Sequence, residues 1–547
     1  MRPASEYDVV IVGSGFGGSV TACRLAEAGH RVLVLERGRR WRQDEYPRAL
    51  FTQAPWIYDC DDPQDQNGWL DVRVWRHMTV VSAAGVGGGS LVYANVSEPP
   101  PEDTFDAGWP PEITYEGLRF HLDTVGEMLD VQKLPDNQLT HRFVLMRDAA
   151  NAIGDGHRFE KFNLAVRFNE DWSYDLEDPF SPRNAKFETN RFGKRQGTCI
   201  HCGQCDIGCP VHAKNTLDVN YLALAESKGA EVRPLHLVRS LERFDGGYTL
   251  HVDRIDAEAR EVTRERVTAR RVVLAAGSIG STELLLRCRG EHRTLPNISG
   301  FLGRNWSSNG DFMTLGFYNE TGRPVEPTHG PTITASLNYF EGEKYGQERF
   351  HVEDGGFPPL MRSYLEKRLG PKAAKAKSWR AKILFADLRR HLNADEAARH
   401  IMPWFANGVD AANGRMYLGR SMSRPWRRRL RLSWDIKKSK ELVDRVIDKH
   451  RELTLATGGK HYVFPGWRYM QYLITPHPLG GCNMGTSPAN GVVDHRGRVF
   501  GYDGLYVIDG AILPEAIGIN PSRTIAAIAE RCAGLLVEEM EQERATP

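Results

Sequence analysis

The stretch Tyr7-Asp-Val-Val-Ile-Val-Gly-Ser-Gly-Phe-Gly-Gly18, with the second apolar run Arg31-Val-Leu-Val-Leu-Glu36, decides the fold of this 547-residue chain. A near-continuous apolar run is typical of a strand buried in a parallel sheet. The glycine-rich turn after it and the helical pattern of residues 19–28 complete a strand–turn–helix–strand unit. That unit is the fingerprint of Rossmann-type domains, so the sequence predicts an α/β fold with a dinucleotide site at the turn.

Each glycine of the turn has its own expected task. Gly13 allows the tight turn, Gly15 lets a pyrophosphate approach the backbone, and Gly18 lets the helix pack against the strand. The start of the helix directs partial positive charge at the phosphates. Glu36 is expected to accept hydrogen bonds from the ribose hydroxyls and to repel a 2′-phosphate. This motif alone leaves NAD and FAD as alternatives.

The composition excludes several classes of partner. The chain carries 71 basic and 70 acidic residues, so no overall field favours nucleic acid. No apolar stretch is long enough to span a bilayer, and the chain enters its first strand without a signal-peptide pattern. We therefore expect a cytoplasmic protein. Two stretches, 367–390 and 424–429, are basic, and the first fits either a solvated helix face, which we favour, or peripheral contact with an anionic membrane.

Further glycine-rich segments follow in a recognisable order along the chain. They are Gly85-Val-Gly-Gly-Gly-Ser-Leu-Val-Tyr-Ala-Asn-Val96, Val273-Leu-Ala-Ala-Gly277, His477-Pro-Leu-Gly-Gly481, Gly504-Leu-Tyr-Val-Ile-Asp-Gly510 and Gly518-Ile-Asn-Pro-Ser522. Together with the amino-terminal fingerprint, the chain resembles the glucose–methanol–choline (GMC) oxidoreductases over nearly its whole length, and most closely their bacterial cholesterol-oxidase-like branch. The resemblance implies that the dinucleotide is FAD.

The resemblance also implies a discontinuous organisation. The FAD-binding domain is expected to be assembled from residues 1–110, 186–310 and 475–547. The substrate-binding domain takes residues 111–185 and 311–474 and is expected to be built on an antiparallel sheet over the flavin.

The predicted cofactor residues come from the fingerprint and from the family motifs. The resemblance places Val238 at the adenine, and Asp509 and Gly510 near the ribityl chain. Ser522 begins a helix whose positive end favours negative charge on the reduced flavin. The full predicted set is Gly13, Gly15, Gly18, Glu36, Gly88, Gly89, Ser90, Asn95, Val96, Val238, Gly277, Asp509, Gly510 and Ser522.

Two residues are predicted to carry the chemistry. Oxidation of an alcohol by a flavin requires removal of the hydroxyl proton, for which a histidine is suited. Taken alone, a histidine before a proline is more often structural, and the resemblance reverses that preference. The resemblance assigns His477 as base or hydroxyl orienter and Asn520 as the hydrogen-bonding partner of the substrate oxygen. The substrate it implies is a bulky, mostly apolar secondary alcohol such as a sterol.

One departure from the family concerns steroid isomerisation. Isomerising relatives carry a glutamate in the substrate domain, and the corresponding stretch here is Phe350-His-Val-Glu-Asp-Gly-Gly-Phe-Pro358. The nearest register places Arg362 at the expected position of that base. Glu353 is the alternative, but beside Asp354-Gly-Gly it reads equally as a turn residue. Isomerase activity is therefore not expected.

A cysteine-rich run predicts a second cofactor. The segment Cys199-Ile-His-Cys202-Gly-Gln-Cys205-Asp-Ile-Gly-Cys209-Pro210 has the Cys-x2-Cys-x2-Cys-x3-Cys-Pro spacing of bacterial ferredoxins. Those proteins use such runs in pairs, whereas this chain has one. We expect an iron–sulfur cluster, either [4Fe–4S] on all four thiolates or [3Fe–4S] on three. Structural zinc and metal-free thiols are the alternatives.

The cluster decides which kind of enzyme is expected. With it, electrons leave the flavin for an acceptor protein or a quinone, and the enzyme is a dehydrogenase. Without it, the alternative is a cholesterol-type oxidase that passes electrons to oxygen. A non-catalytic flavin electron-transfer module is a third possibility, which the presence of both His477 and Asn520 argues against.

Overall fold

The computed structural model describes residues 7–46, 48, 56–340, 349–369, 386–391, 396–420 and 428–545. Most of the two basic stretches therefore lies outside the described residues, and the predicted choice between a solvated face and a membrane contact stays open. No helix in the described part of the chain is both long enough and apolar enough to cross a membrane.

The first sheet has seven strands among the described residues and contains the predicted fingerprint. Its parallel part is built around Tyr7–Val12, which pairs with Val32–Leu35 on one side and with Glu261–Leu274 on the other. Glu231–Arg233 and Leu505–Val507 extend the parallel part at its two sides. The antiparallel strands His236–Phe244 and Gly247–Asp256 complete the sheet. The Rossmann-type prediction is confirmed.

The helices Phe16–Glu27 and Gly277–Gly290 pack against this sheet. The first helix, Phe16–Glu27, buries Val20, Leu25 and its small residues against Tyr221–Ser227 and the long carboxy-terminal helix Ser522–Ala545. Other helices of the first half of the chain are Tyr115–Met128, His141–Ala152 and Gly277–Gly290.

The second sheet is antiparallel throughout, as predicted for the substrate side. Its strands, in spatial order, are Lys460–Tyr462, Phe312–Phe317, Ile401–Gly408, Phe350–Asp354, Ala335–Tyr339 and Phe159–Lys161. In this register Glu353 lies opposite Phe405, and His351 lies opposite Asn407. Directly opposed residues share a face, so these four side chains lie on one side of the sheet.

Among the described residues, the remaining strands form smaller sheets, and four further helices accompany them. They are the three-stranded sheet Leu70–Val74, Met78–Ala83 and Leu473–Thr475; the strand pairs Arg415–Arg420 with Arg428–Ser433, Gln132–Lys133 with Asn163–Leu164, and Glu188–Thr189 with Arg195–Gln196; and the helices Pro359–Leu369, Ala386–His391, Lys440–Ala456 and Pro465–Met470. Both sheets draw on separated pieces of the chain. The domain boundaries themselves stay predictions.

Candidate active site

A cavity lies at the carboxyl ends of the parallel strands, where open α/β sheets bind their ligands. Val12, Leu35 and Ala275 line it at the ends of three of these strands. His477 and Asn520 line it as well. The sequence-predicted dinucleotide site and the predicted catalytic pair therefore share one cavity.

Three helices begin at this cavity. Their first residues are Phe16, Gly277 and Ser522, and all three line it. Each helix start presents unpaired backbone N–H groups and partial positive charge. The cavity is therefore suited to a ligand that carries phosphates at one end and gains negative charge at the other.

The glycines of the first turn serve two different purposes. A Cβ atom on Gly13, whose φ is +101°, would lie 2.4 Å from the carbonyl oxygen of Ala275, and one on Gly18 would lie 2.1 Å from the carbonyl oxygen of Gly13. Those two positions therefore serve backbone packing. A Cβ on Gly15 would meet only Cα of Gly88, at 3.9 Å, so its backbone faces the open cavity.

Two buried carboxylates hold the cavity wall. Glu36 accepts hydrogen bonds from the hydroxyl of Ser14 at 2.7 Å and from the backbone N–H of Gly38 at 2.9 Å. Asp509 accepts hydrogen bonds from the backbone N–H of Gly277 at 2.8 Å and from the hydroxyl of Ser281 at 2.6 Å. Burial raises the pKa of Asp509 to about 6, although these hydrogen bonds act in the opposite direction.

The cavity brings together most of the predicted cofactor residues. Gly18, Ser90 and Asn95 belong to the predicted set but do not line it, and their roles at the cofactor stay predictions. Gly18 packs against the backbone, while the hydroxyl of Ser90 donates to the carbonyl of Gly87 and accepts from the N–H of Leu217. The residues that do line it are Gly13, Gly15, Glu36, Gly88, Gly89, Val96, Val238, Gly277, Asp509, Gly510 and Ser522.

His477 is held by a carboxylate from the second sheet. Its Nδ1 lies 2.9 Å from Oδ1 of Asp311, which directly precedes the strand Phe312–Phe317. Asp311 is almost completely buried and also accepts hydrogen bonds from the amide of Asn407 and, at 2.5 Å, from the hydroxyl of Thr475. Because an ionised carboxylate only accepts, Nδ1 is the protonated nitrogen, and Nε2 is left as the basic atom.

The charge of Asp311 decides the basicity of this histidine. Burial by itself lowers the pKa of His477, but the negative charge of Asp311 and its hydrogen bond outweigh that effect, with a further contribution from Glu353. The net result is a pKa raised above its ordinary value of 6.5. His477 is therefore a stronger base than an isolated buried histidine.

Asn520 presents an unused hydrogen-bonding atom. The residue is 5% exposed and lines the cavity next to the start of the helix Ser522–Ala545. Its Oδ1 atom has no hydrogen-bond partner among the described residues. A buried polar atom without a partner is costly, so its presence here indicates a ligand group that supplies the missing bond.

The structure corrects the interpretation of Glu353. It lies in the strand Phe350–Asp354 rather than in a turn, and it is completely buried. Its Oε1 lies 2.8 Å from Nε2 of His351, whereas its Oε2 has no partner among the described residues. Arg362 instead lies in the helix Pro359–Leu369, where it pairs with Glu366 at 2.8 Å. Of Glu353 and Arg362, Glu353 is the one whose charge raises the pKa of His477.

The cysteine run forms a loop behind the cavity wall. Cys199 is buried, and Cys202, Cys205 and Cys209 are partly buried; all four are free thiols. The thiols lie close enough to influence one another, since the charges of the other three, after burial, raise the pKa of Cys199. Within the described ranges, no group of three or more His, Cys, Asp or Glu side chains is arranged to hold a metal ion.

Comparison with known proteins agrees with this geometry. Family models described as GMC oxidoreductase match residues 183–307 and 428–529, and one described as an NAD(P)-binding Rossmann-like domain matches residues 11–42. The chain is 31% identical to a cholesterol oxidase from Acinetobacter baumannii, over 96% of this chain and 93% of that protein. It is 32% identical to a cholesterol oxidase from Mycobacterium tuberculosis, over all of this chain and 93% of that protein.

A solved structure supports the fold. The crystal structure of pyridoxine 4-oxidase from Mesorbium loti is similar with a TM-score of 0.61 at 17% sequence identity, over 97% of this chain and 99% of that chain. At this level of identity the likeness concerns the fold alone.

The cavity fits the FAD that this family uses. The backbones of Gly15, Gly89 and Gly277 face open space, because an added Cβ would meet nothing closer than 3.9 Å. Three helix starts and the unpartnered Oδ1 of Asn520 complete a cradle for a diphosphate and an isoalloxazine ring. With relatives above 30% identity over almost its full length, the chain belongs to the GMC oxidoreductase family, in its cholesterol-oxidase-like branch, and is an FAD-dependent alcohol oxidoreductase.

Proposed function

We propose that this protein oxidises the secondary hydroxyl of a bulky apolar alcohol of the sterol class to a ketone. The observation that carries the proposal is His477, which lines the cavity with Asp311 bound behind it at 2.9 Å. The similarity to cholesterol oxidases over the whole chain supports the sterol class.

The reaction follows from the positions of the two catalytic residues. Bound FAD supplies the acceptor for the hydride, that is, for the carbinol hydrogen and its electron pair. Nε2 of His477 takes the hydroxyl proton, and Asp311 stabilises the imidazolium that results. Asn520 holds the substrate oxygen while the C–O bond becomes a carbonyl. The atoms and electrons of the oxidation balance, because the histidine takes one proton and bound FAD would take one hydride.

The electrons must then leave the cavity. We propose that the four thiols of the cysteine run would hold an iron–sulfur cluster, which would supply a one-electron route to an external quinone or protein. A link between the run and the cavity supports this proposal. Nζ of Lys214 donates hydrogen bonds to the backbone carbonyl of Tyr93, which lines the cavity, and to that of Cys205 in the run.

A substrate and acceptor screen tests this function. Cholesterol, a long-chain primary alcohol and a small secondary alcohol would each be mixed anaerobically with the purified holoenzyme, and bleaching of the flavin would be followed. We expect rapid bleaching with cholesterol only. Equal bleaching by the small alcohol would contradict the substrate class. Reoxidation by a quinone but not by oxygen, together with iron in the protein, is expected for the cluster route; fast reoxidation by oxygen without iron would overturn that route.

Glu353 makes migration of the steroid double bond a second candidate activity. Its buried carboxylate, with one unpartnered oxygen, lies close enough to raise the pKa of His477. After oxidation of a β,γ-unsaturated sterol, such a carboxylate would take a proton from the carbon between the ketone and the double bond and return it at the far alkene carbon. The step conserves protons and electrons and yields the conjugated ketone.

A further inference from the structure

A row of buried polar side chains crosses the antiparallel sheet beside the catalytic base. The register of Phe312–Phe317 with Ile401–Gly408, continued by one step, places Asp311 opposite Asn407. On the other side of the same strand, His351 lies opposite Asn407. Because directly opposed residues share a face, these three side chains form one row on one face of the sheet. No member of the row is more than 2% exposed.

Asn407 and His477 donate to the same oxygen atom. The amide of Asn407 donates to Oδ1 of Asp311, and Nδ1 of His477 lies 2.9 Å from that same Oδ1. The two donor nitrogens lie 3.2 Å apart. Since an ionised carboxylate only accepts, Nδ2 is the end of the Asn407 amide that faces Asp311. Two donor nitrogens this close are compatible because both direct a hydrogen at one oxygen.

The other end of the Asn407 amide is left without a partner. Its Oδ1 is buried and accepts no hydrogen bond from the described residues. Within the described part of the chain, its Nδ2 contacts only Asp311 and His477 as polar partners. A buried polar atom without a partner is costly, and an apolar side chain would avoid that cost. The interaction with Asp311 is therefore what an asparagine contributes at this position.

We propose that Asn407 is a positioning residue that limits the basicity of His477 by sharing Oδ1 of Asp311. An oxygen that accepts two hydrogen bonds stabilises each donor less than an oxygen that accepts one, because its negative charge is divided between them. The charges that act on His477 are those of Asp311 and Glu353, and both raise its pKa. A base with too high a pKa is already protonated before the substrate binds and cannot take the hydroxyl proton. This inference rests on the proposed role of His477 as the proton acceptor.

The test is the pH profile of anaerobic flavin reduction by cholesterol in the holoenzyme. Asn407→Leu has a similarly branched side chain but no donor, so Oδ1 of Asp311 is left to His477 alone. We expect the acidic limb of the profile to move to higher pH by about 0.5 to 1 pH unit, with the rate above the limb within about threefold of wild type. Asn319→Leu is the control, since the amide of Asn319 donates to the carbonyl of His391 and the residue does not line the cavity.

The direction of the shift separates sharing from simple support. If Asn407 only held Asp311 in place, its loss would loosen the pair and move the limb to lower pH, which would overturn the inference. An unmoved limb in Asn407→Leu would overturn it as well. If that variant does not fold, Asn407→Val, whose side chain suits a strand, is judged by the same shift. A wild type without an acidic limb would instead contradict the proposed role of His477, and this inference with it.

Discussion

Nδ1 of His477 lies 2.9 Å from Oδ1 of Asp311, and the two residues come from different predicted domains. His477 follows the strand Leu473–Thr475 beside the flavin cavity, whereas Asp311 precedes a strand of the antiparallel sheet. The base and the group that orients it therefore meet only when the two sheets are packed together. Correct assembly of the two sheets is a condition for a basic Nε2 atom.

Asp311→Asn tests this pair through the pH profile. The proton acceptor must be neutral, so the rate of flavin reduction rises with pH through the pKa of His477, which lies above 6.5 in the wild type. Burial lowers the pKa of His477, and the charge of Asp311 opposes that effect. Without this charge the pKa falls, so the acidic limb of the pH profile moves to lower pH. Above the limb we expect the rate to fall by about tenfold to a hundredfold, because the imidazolium loses its partner. An unshifted limb with an unchanged rate would contradict the pairing.

Asn520→Leu tests the proposed contact between the Asn520 amide and the substrate oxygen. The variant keeps the volume of the side chain but loses the amide, whose Nδ2 hydrogens would donate to the substrate oxygen as negative charge develops on it. We expect the rate of flavin reduction to fall by about tenfold or more. The FAD content and the melting temperature should stay near wild type, which separates a catalytic contact from a structural one. A normal rate with reduced FAD content would assign Asn520 to cofactor binding instead.

Gly15→Ala and Gly18→Ala form a matched pair at the cofactor cradle. The added methyl group at position 15 enters the open cavity, while the one at position 18 would lie 2.1 Å from the carbonyl oxygen of Gly13. We expect Gly15→Ala to fold with an FAD affinity at least about tenfold lower, and Gly18→Ala to lose folding stability itself. Flavin absorbance and thermal unfolding measure the two effects. Full FAD occupancy in Gly15→Ala would contradict the cradle.

Glu353→Gln tests the second candidate activity. Glutamine has the same shape but takes up no proton, so oxidation should continue while migration of the double bond stops. With cholesterol as substrate, we expect the wild type to release the conjugated ketone and the variant to release the unconjugated one. Ultraviolet absorbance of the conjugated enone distinguishes the products. An unconjugated product from the wild type would show that Glu353 has no such activity.

Local patterns predicted most of the fold and much of the cavity. The run from Tyr7 to Gly18 carries its own turn, helix start and strand, so its structure follows from neighbouring residues, and FAD follows from the family motifs. Asp311 could not be found in this way, because no spacing links it to His477 in the chain. The sequence left Glu353 open between a base and a turn residue because Gly355 and Gly356 after it suggested a turn, whereas cross-strand pairing with Ser336 and Phe405 extends the strand through it.

Anaerobic single-turnover reduction of the bound FAD by cholesterol is the most direct test of the central claim. It would compare the wild type with His477→Gln, using His450→Gln as control, since His450 is a buried histidine bonded to Thr314 rather than a residue of the cavity. We predict that the flavin bleaches at least about a hundredfold more slowly in His477→Gln, and at nearly the normal rate in His450→Gln. Bleaching of His477→Gln at the wild-type rate would contradict the account.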